Sequence, residues 1–174
     1  MLQDRLGKKY SLWLMPRGDV YEQLARVLHN LAAQCGAPEF PPHLTLLGSI
    51  VGARREVIRK SAEIAALLHP FSIRLGAIDY LDPYFRCLFV RATPTAPLLK
   101  AHHTARTLLG RHREPCFMPH LSLLYGNFSL DFKQGLLARL GPRLDLEFKV
   151  RSLNLYSTDS EPRLWRRVET FGLK

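Results

Sequence analysis

The stretch PHLTLLG at residues 42–48 returns as PHLSLLYG at residues 119–126, and these two stretches decide the fold. Each copy holds a proline, a histidine, an apolar residue, a hydroxyl residue and further apolar residues. A little under half of the 174-residue chain separates His43 from His120. A repeat at this spacing predicts an internal duplication of a small α/β unit.

Both copies alternate in the way that predicts a short β-strand. Side chains two residues apart on a strand point to the same face, roughly 7 Å apart. We therefore expect His43 and Thr45 to face one way while the leucines between them turn into a core. His120 and Ser122 should do the same in the second copy. Two strands that each offer an imidazole and a hydroxyl predict a site assembled from two halves.

Such a set of side chains can perform proton transfer and hold negative charge. The pKa of an ordinary histidine is close to neutral, so one imidazole can be a general base and the other a general acid. Hydroxyls and an imidazolium also donate hydrogen bonds to anionic oxygens. Without an obvious nucleophile, the set fits phosphoryl chemistry with water as the attacking group. We expect no metal and no cofactor.

The composition predicts one globular domain. Hydrophobic residues make up 47% of the chain and charged residues 23%. No apolar run approaches the ~20 residues of a membrane span, so no membrane association is expected. Residues 1–9 are polar and lead directly into a predicted strand, which predicts no signal peptide. Cys35, Cys87 and Cys116 form neither an even set nor a CxxC pair, which favours the reducing cytoplasm over a disulfide framework or a zinc site.

The chain is strongly basic. Its formal net charge is +10, which attracts phosphate-bearing partners over long range. The arginines are spread along the chain rather than gathered in one block, and most of them are expected to form a solvated surface. Nucleic acid is therefore a permitted partner that the charge alone does not establish.

Hydrophobic periodicity predicts an alternation of strands and helices along the whole chain. Asp19 is expected to cap the first helix and Gly36 to end it. The predicted strands are 10–15, the first motif, 71–80, 85–92, the second motif, 146–157 and 164–171; the predicted helices are 20–34, 54–68, 97–109 and 130–140. The order indicates a single bilobal α+β domain over residues 1–174. Its two pseudo-twofold-related lobes should contain antiparallel sheets flanked by helices, with the motifs facing each other across a cleft.

The paired His-x-Thr and His-x-Ser motifs resemble those of the 2H phosphoesterases. Within that superfamily the chain most resembles the plant- and yeast-type cyclic nucleotide phosphodiesterases of tRNA-splicing metabolism. YSLWLMP at 10–16 resembles their opening strand, PYFRCLFV at 83–90 a central aromatic-cysteine strand, and LWRRVETF at 164–171 their closing strand. The resemblance thus runs through most of the chain.

This resemblance implies three pairs of site residues: an acid–base pair of histidines, a pair of hydroxyls that hold the phosphate oxygens, and two aromatic residues at the substrate end of the cleft. In that order these are His43 and His120, Thr45 and Ser122, and Trp13 and Tyr125. The implied reaction is hydrolysis of ADP-ribose 1″,2″-cyclic phosphate, and of nucleoside 2′,3′-cyclic phosphates to 2′-phosphates, by a phosphoric diester hydrolase. Separately, we expect the chain to be a monomer. Broader relatives act on RNA ends, so that substrate class stays open.

Two points of geometry are open in the sequence. Tyr125 is five residues after His120, so it reaches the cleft only if the strand ends or bulges near Gly126. The first copy has no equivalent of Tyr125, and this asymmetry favours His120 as the base that activates water and His43 as the acid. His102 and His103, on the third predicted helix, are expected to face solvent.

Two other functions compete with the cyclic phosphodiesterase. One is a non-catalytic basic module that binds RNA or nucleotides on the same fold. The presence of both histidines and both hydroxyls favours the enzyme, because a decayed module should have lost at least one of them. The other is a metallohydrolase, which is disfavoured because the motifs lack the clustering of His, Asp and Cys that metal ligands show.

Overall fold

In a computed structural model, the described part of the chain covers residues 8–113 and 116–174. It contains eight β-strands and four α-helices, which confirms the predicted α+β class. The strands are β1 (Lys9–Leu14), β2 (Leu44–Val51), β3 (Phe71–Asp79), β4 (Leu88–Ala92), β5 (His120–Leu124), β6 (Glu147–Val150), β7 (Ser152–Ser157) and β8 (Arg166–Gly172). The helices are α1 (Gly18–Cys35), α2 (Arg54–Ala66), α3 (Ala96–Leu108) and α4 (Leu130–Leu140). Residues 1–7, to which the signal-peptide prediction applies, lie outside the described residues.

The two motif strands occupy the centre of one eight-stranded antiparallel sheet. Its strand order is β6-β3-β4-β5-β2-β1-β7-β8, so four strands lie on each side of the boundary between β5 and β2. Each half contains a β-α-β-α unit of the chain, β1-α1-β2-α2 in one and β4-α3-β5-α4 in the other. This arrangement confirms the predicted antiparallel pairing and divides the sheet into two related halves. That residues 1–174 form one domain stays a prediction.

Buried apolar side chains hold the helices on the sheet. The motif leucines Leu44, Leu46, Leu121 and Leu123 are all essentially inaccessible to solvent, as their alternation predicted. Each fully buried leucine contributes about 1.5–3 kcal/mol relative to an exposed one. Because the leucines point into this core, the alternate positions of both strands must point to the opposite face of the sheet.

The predicted strand 146–157 is in fact two strands that belong to different halves of the sheet. β6 pairs with β3 at one edge, whereas β7 pairs with β1 in the other half. Only Arg151 joins them, so the sheet must curl until its two halves approach each other. β6 alternates between exposed and buried residues, whereas β7 is buried over five consecutive residues. The sequence pattern missed this corner because apolar residues continue across Arg151 without a turn signal.

Local turn chemistry accounts for two further differences. Phe85 was predicted to begin a strand but lies in a short 3₁₀ turn, Tyr84–Arg86, because the amide of Arg86 bonds back to the carbonyl of Pro83. Asp19 lies in the first turn of α1 rather than at its N-cap, where it still favours the helix dipole. Gly36 ends α1 in the left-handed conformation, as predicted. None of the helices in the described ranges is both long and apolar enough to cross a membrane.

Candidate active site

A cleft of about 380 Å³ lies over the boundary between the two central strands. It brings together all six side chains that the sequence analysis selected, namely Trp13, His43, Thr45, His120, Ser122 and Tyr125. The two halves of the chain therefore contribute three side chains each to one cavity.

The register between the central strands sets the four motif side chains opposite one another. Leu44 pairs with Leu121 in the antiparallel β2–β5 ladder. Continued by one residue to either side, this register sets Thr45 opposite His120 and His43 opposite Ser122. Directly opposed side chains on one face of a sheet have Cβ atoms roughly 4.5–5.5 Å apart. Each imidazole thus lies beside the hydroxyl of the other repeat, in an arrangement with approximate twofold symmetry.

The same backbone contact fixes both imidazoles. His43 Nδ1 lies 2.7 Å from the carbonyl oxygen of Pro41, and His120 Nδ1 lies 2.8 Å from that of Met118. A carbonyl only accepts, so each Nδ1 carries a hydrogen and each Nε2 of the neutral ring is left with its lone pair.

The proline before each histidine explains why this contact occurs twice. Pro42 and Pro119 have a fixed φ and hold the preceding residue, Pro41 or Met118, in extended backbone. The amide of Ala92 in β4 also bonds to the carbonyl of Pro119, 3.0 Å away. The prolines therefore restrain the backbone before each histidine, and in the second copy the bond from Ala92 restrains it further.

Burial lowers the pKa of both imidazoles. Desolvation lowers the pKa of His43 to about 4, against the opposing effect of its bond to the Pro41 carbonyl. Desolvation also lowers the pKa of His120, and the nearby guanidinium groups of Arg86 and Arg91 act in the same direction. At neutral pH both rings are therefore mainly neutral, with the Nε2 lone pair free to accept a proton, and an anion bound beside them would favour the protonated form.

Trp13 forms the wall behind His43. Its ring stacks on the imidazole with centroids 3.6 Å apart and planes 14° apart, and on Tyr156 from the other side at 3.8 Å. The indole nitrogen donates to the hydroxyl oxygen of Ser11, 2.7 Å away. Only 1% of Trp13 is exposed, so its contact with the cleft is made largely through His43.

Tyr125 reaches the cleft because the second motif strand ends early. β5 stops at Leu124, and the pairing of β4 with β5 shifts by one residue between Ser122 and Leu124. The tyrosine ring stacks on Phe40, with centroids 3.8 Å apart, and Phe40 in turn contacts His43 edge-on at 6.0 Å. Burial raises the pKa of the Tyr125 hydroxyl, which a hydrogen bond with Ser122 partly opposes.

Tyr125 contacts Phe40, which lies edge-on to His43, and it forms a hydrogen bond with Ser122 on the strand of His120. That Tyr125 orders a water beside His120 stays a prediction. Ser122 itself donates to the carbonyl oxygen of Phe85, 3.1 Å away. The Ser122 hydroxyl must rotate away from this carbonyl before it can donate to a ligand.

Three further cleft residues escaped the sequence analysis. Arg86, Arg111 and Trp165 line the cavity, and the two arginines bring positive charge to it. Arg111 Nη1 donates to the carbonyls of Ser49 at 2.8 Å and Gly48 at 3.3 Å, at the far end of β2. No local pattern distinguishes these three from other surface arginines and strand aromatics, because only long-range contacts bring them to the cleft.

His102 does not face solvent as expected, whereas His103 is exposed. His102 points from α3 towards β2 and packs beside the loop that precedes His120. Across residues 8–113 and 116–174, no three His, Cys, Asp or Glu side chains are grouped so that they could hold a metal ion.

The sequence model of the 2′-5′ RNA ligase superfamily matches residues 22–162, which include both motifs. The chain belongs to this superfamily, the 2H phosphoesterases that the paired motifs predicted. Trp13 and Trp165 lie outside the matched range, at its two ends.

A cyclic phosphodiesterase of Arabidopsis thaliana is 24% identical to this chain over 168 residues, which cover 94% of this chain and 93% of the relative. Together with the superfamily, this relative supports a phosphodiesterase enzyme. Two solved structures share the fold: TT0787 of Thermus thermophilus, with a TM-score of 0.67 and 18% identity over 95% of this chain and 97% of that one, and Escherichia coli LigT complexed with NADP+, with a TM-score of 0.66 and 14% identity over 97% and 99%.

Proposed function

We propose that this protein is a metal-independent cyclic phosphodiesterase that hydrolyses a nucleoside 2′,3′-cyclic phosphate, or ADP-ribose 1″,2″-cyclic phosphate, to the monoester. One observation carries the proposal. His43 and His120 are held by the same contact from Nδ1 to a backbone carbonyl, and both line one cleft together with the hydroxyls of Thr45 and Ser122.

The reaction uses the two imidazoles on opposite sides of the phosphorus. One Nε2 accepts a proton from water while the water oxygen forms a bond to phosphorus. The bond from phosphorus to the ribose 3′-oxygen breaks, and the other imidazolium gives its proton to that oxygen. In-line displacement needs the attacking and leaving oxygens on opposite sides, and the approximate twofold arrangement of His43 and His120 supports a division of these roles between the two imidazoles.

The hydroxyls hold the two non-bridging phosphate oxygens. Thr45 lies opposite His120, and Ser122 lies opposite His43, so each proton carrier has a hydrogen-bond donor beside it. Donors aimed at oxygens that gain negative charge during displacement contribute most in a site that excludes water. Arg86 and Arg111 add positive charge at the cleft lining.

The stack on Trp13 supports His43 as the general acid. The bound phosphate favours an imidazolium at either position, and the face of an indole ring stabilises a cation placed over it. Trp13 stacks on the His43 ring, whereas desolvation lowers the pKa of His120 and the guanidinium groups of Arg86 and Arg91 add to this effect. Burial lowers the pKa of His43 as well, so the indole face and the bound phosphate must offset that desolvation for His43 to carry the proton. His120 is therefore the proposed base, which keeps the assignment made from the sequence but on different grounds.

A leaving-group experiment tests these roles. A substrate whose leaving oxygen needs no protonation should restore turnover to the acid variant and not to the base variant. We expect rescue of His43→Ala and none of His120→Ala. Rescue of His120→Ala alone would reverse the two roles.

An RNA end with a 2′,3′-cyclic phosphate is the second candidate substrate. The observation that favours it is positive charge, both in the chain as a whole and at Arg86 and Arg111 in the cleft. Comparing turnover of cyclic nucleotides, ADP-ribose cyclic phosphate and a short RNA with a cyclic-phosphate end separates the two. Phosphorus NMR of the product identifies the bond that breaks: a 2′-phosphate is expected, and a 3′-phosphate would contradict the proposed leaving oxygen.

A further inference from the structure

The repeated motifs contain a second matched pair that the proposed chemistry does not use. Phe40 and Phe117 each lie three residues before a motif histidine. Phe40 stacks face to face on Tyr125, with centroids 3.8 Å apart. Phe117 stacks on His102, with centroids 4.0 Å apart and planes only 2° apart. The two phenylalanines thus have equivalent places in the repeats and different partners.

Each phenylalanine directly precedes the residue whose carbonyl binds a motif imidazole. Phe40 precedes Pro41, whose carbonyl accepts from His43. In the second copy, Phe117 precedes Met118, whose carbonyl lies 2.8 Å from the Nδ1 of His120. A stack that holds Phe40 or Phe117 in place therefore restrains the next residue's carbonyl. That carbonyl keeps the ring hydrogen of the motif histidine on Nδ1.

His102 links this loop to the first motif strand. Its Nδ1 lies 2.9 Å from the carbonyl oxygen of Leu46 in β2, one residue after Thr45. The side chain is buried, with 8% of the residue exposed. Its ring therefore spans the space between the strand that carries Thr45 and the loop that carries Met118.

The other ring nitrogen of His102 shows that this position is not optimised for stability alone. Nε2 is buried and has no hydrogen-bond partner among the described residues. A buried polar atom without a partner is costly, and an apolar ring would fill the same space without that cost. The benefits of an imidazole here are the bond to Leu46 and the parallel stack on Phe117.

We propose that His102 is a positioning residue for His120. It holds Phe117 against α3, so that the Met118 carbonyl stays in reach of Nδ1 and the Nε2 lone pair of His120 stays available in the cleft. His102 does not line the main cleft but borders an adjoining cavity together with Thr45 and His120, so it acts on the reaction without touching the substrate site itself. The consequence for catalysis rests on the proposed function, whereas the effect on His120 does not.

Nitrogen NMR of the histidine rings tests this proposal without a substrate. In the wild-type protein, the His120 signals should be those of a ring with its hydrogen on Nδ1. In His102→Ala, they should move towards a mixture of the two neutral forms, while the His43 signals stay in place. Unchanged His120 signals in a folded His102→Ala protein would overturn the proposal.

Two further variants guard against a mere loss of folding. Phe117→Leu removes the stack from the loop side and should reproduce the change at His120. Phe40→Leu is the matched control in the first repeat, and it should move the His43 signals and leave those of His120. A Phe117→Leu protein that changes both histidines equally, or neither, would contradict a local positioning effect.

The kinetic readout separates this proposal from the proposed function. On a confirmed cyclic phosphate substrate, kcat of His102→Ala should fall roughly 10- to 100-fold, the range of a lost supporting contact, with KM little changed. If the wild-type protein hydrolysed no cyclic phosphate, the proposed function would fail while the NMR result still judged the role of His102. An unchanged kcat in a variant whose His120 signals have moved would show that this positioning does not govern the reaction.

Discussion

Replacing His43 with glutamine should change how the stability of the fold depends on pH. The unfolded chain has a histidine with a pKa near 6.5, whereas burial lowers the pKa of His43 in the folded protein to about 4. As the pH falls from 6.5 to 4, the unfolded state takes up this proton first, so the folded state loses stability. At about 1.4 kcal/mol for each pH unit, the loss at pH 4 is about 3 kcal/mol.

Urea unfolding at a series of pH values from 7 to 4 measures this effect. The variant His43→Gln cannot take up the proton, so its free energy of unfolding should fall less than that of the wild type, by about 3 kcal/mol over this range. All other titrating groups are common to both proteins and cancel in the difference, apart from the small repulsion between His43 and His120. His103→Gln, at an exposed position on α3, is the control and should follow the wild-type curve. Parallel curves for the wild type and His43→Gln would refute the assignment of His43 as a buried neutral imidazole.

Three other results follow from the site. The pH profile of kcat/KM should be bell-shaped, because a base and an acid are both needed. Its optimum should lie between about pH 4 and 6.5, because burial lowers the pKa of both imidazoles. A profile flat from about pH 5 to 9 would contradict a two-histidine mechanism. Turnover should survive exhaustive chelation, and loss with EDTA followed by recovery with a divalent ion would require a different mechanism. Thr45→Val and Ser122→Ala should each lower kcat roughly 10²- to 10³-fold, as loss of one donor to a charged oxygen does, and kcat values within twofold of wild type would remove the hydroxyls from the mechanism.

The chemistry of the site was more predictable from the sequence than its surroundings. Alternation within each motif requires the histidine and hydroxyl to share a face, and the duplication requires the two faces to correspond. The first requirement depends on neighbouring residues only and the second on a repeat that is visible in the sequence, so His43, Thr45, His120 and Ser122 could be selected without knowing the fold. For Tyr125 the prediction from the sequence was conditional: the side chain reaches the cleft only if its strand ends or bulges near Gly126, and β5 does end at Leu124.

Features that depend on long-range contacts were not predictable in this way. The split of residues 146–157 follows from pairing with β3 on one side and β1 on the other, which the pattern within the segment does not record. His102 was expected in solvent, but its side chain is buried because it bonds to the carbonyl of Leu46, 56 residues away in sequence. The sequence around His102 gives no sign of this contact. Arg111 likewise reaches the cleft through carbonyls at the far end of β2.

Turnover of a nucleoside 2′,3′-cyclic phosphate by the wild type and by the variants His43→Ala and His120→Ala tests the central claim most directly. The account predicts hydrolysis by the wild type to a 2′-phosphate. It also predicts that each variant, shown to be folded by circular dichroism at pH 7, loses roughly 10²- to 10⁴-fold in kcat/KM, the scale of one acid or base group. Wild-type-like turnover by either folded variant would contradict a reaction shared between these two histidines.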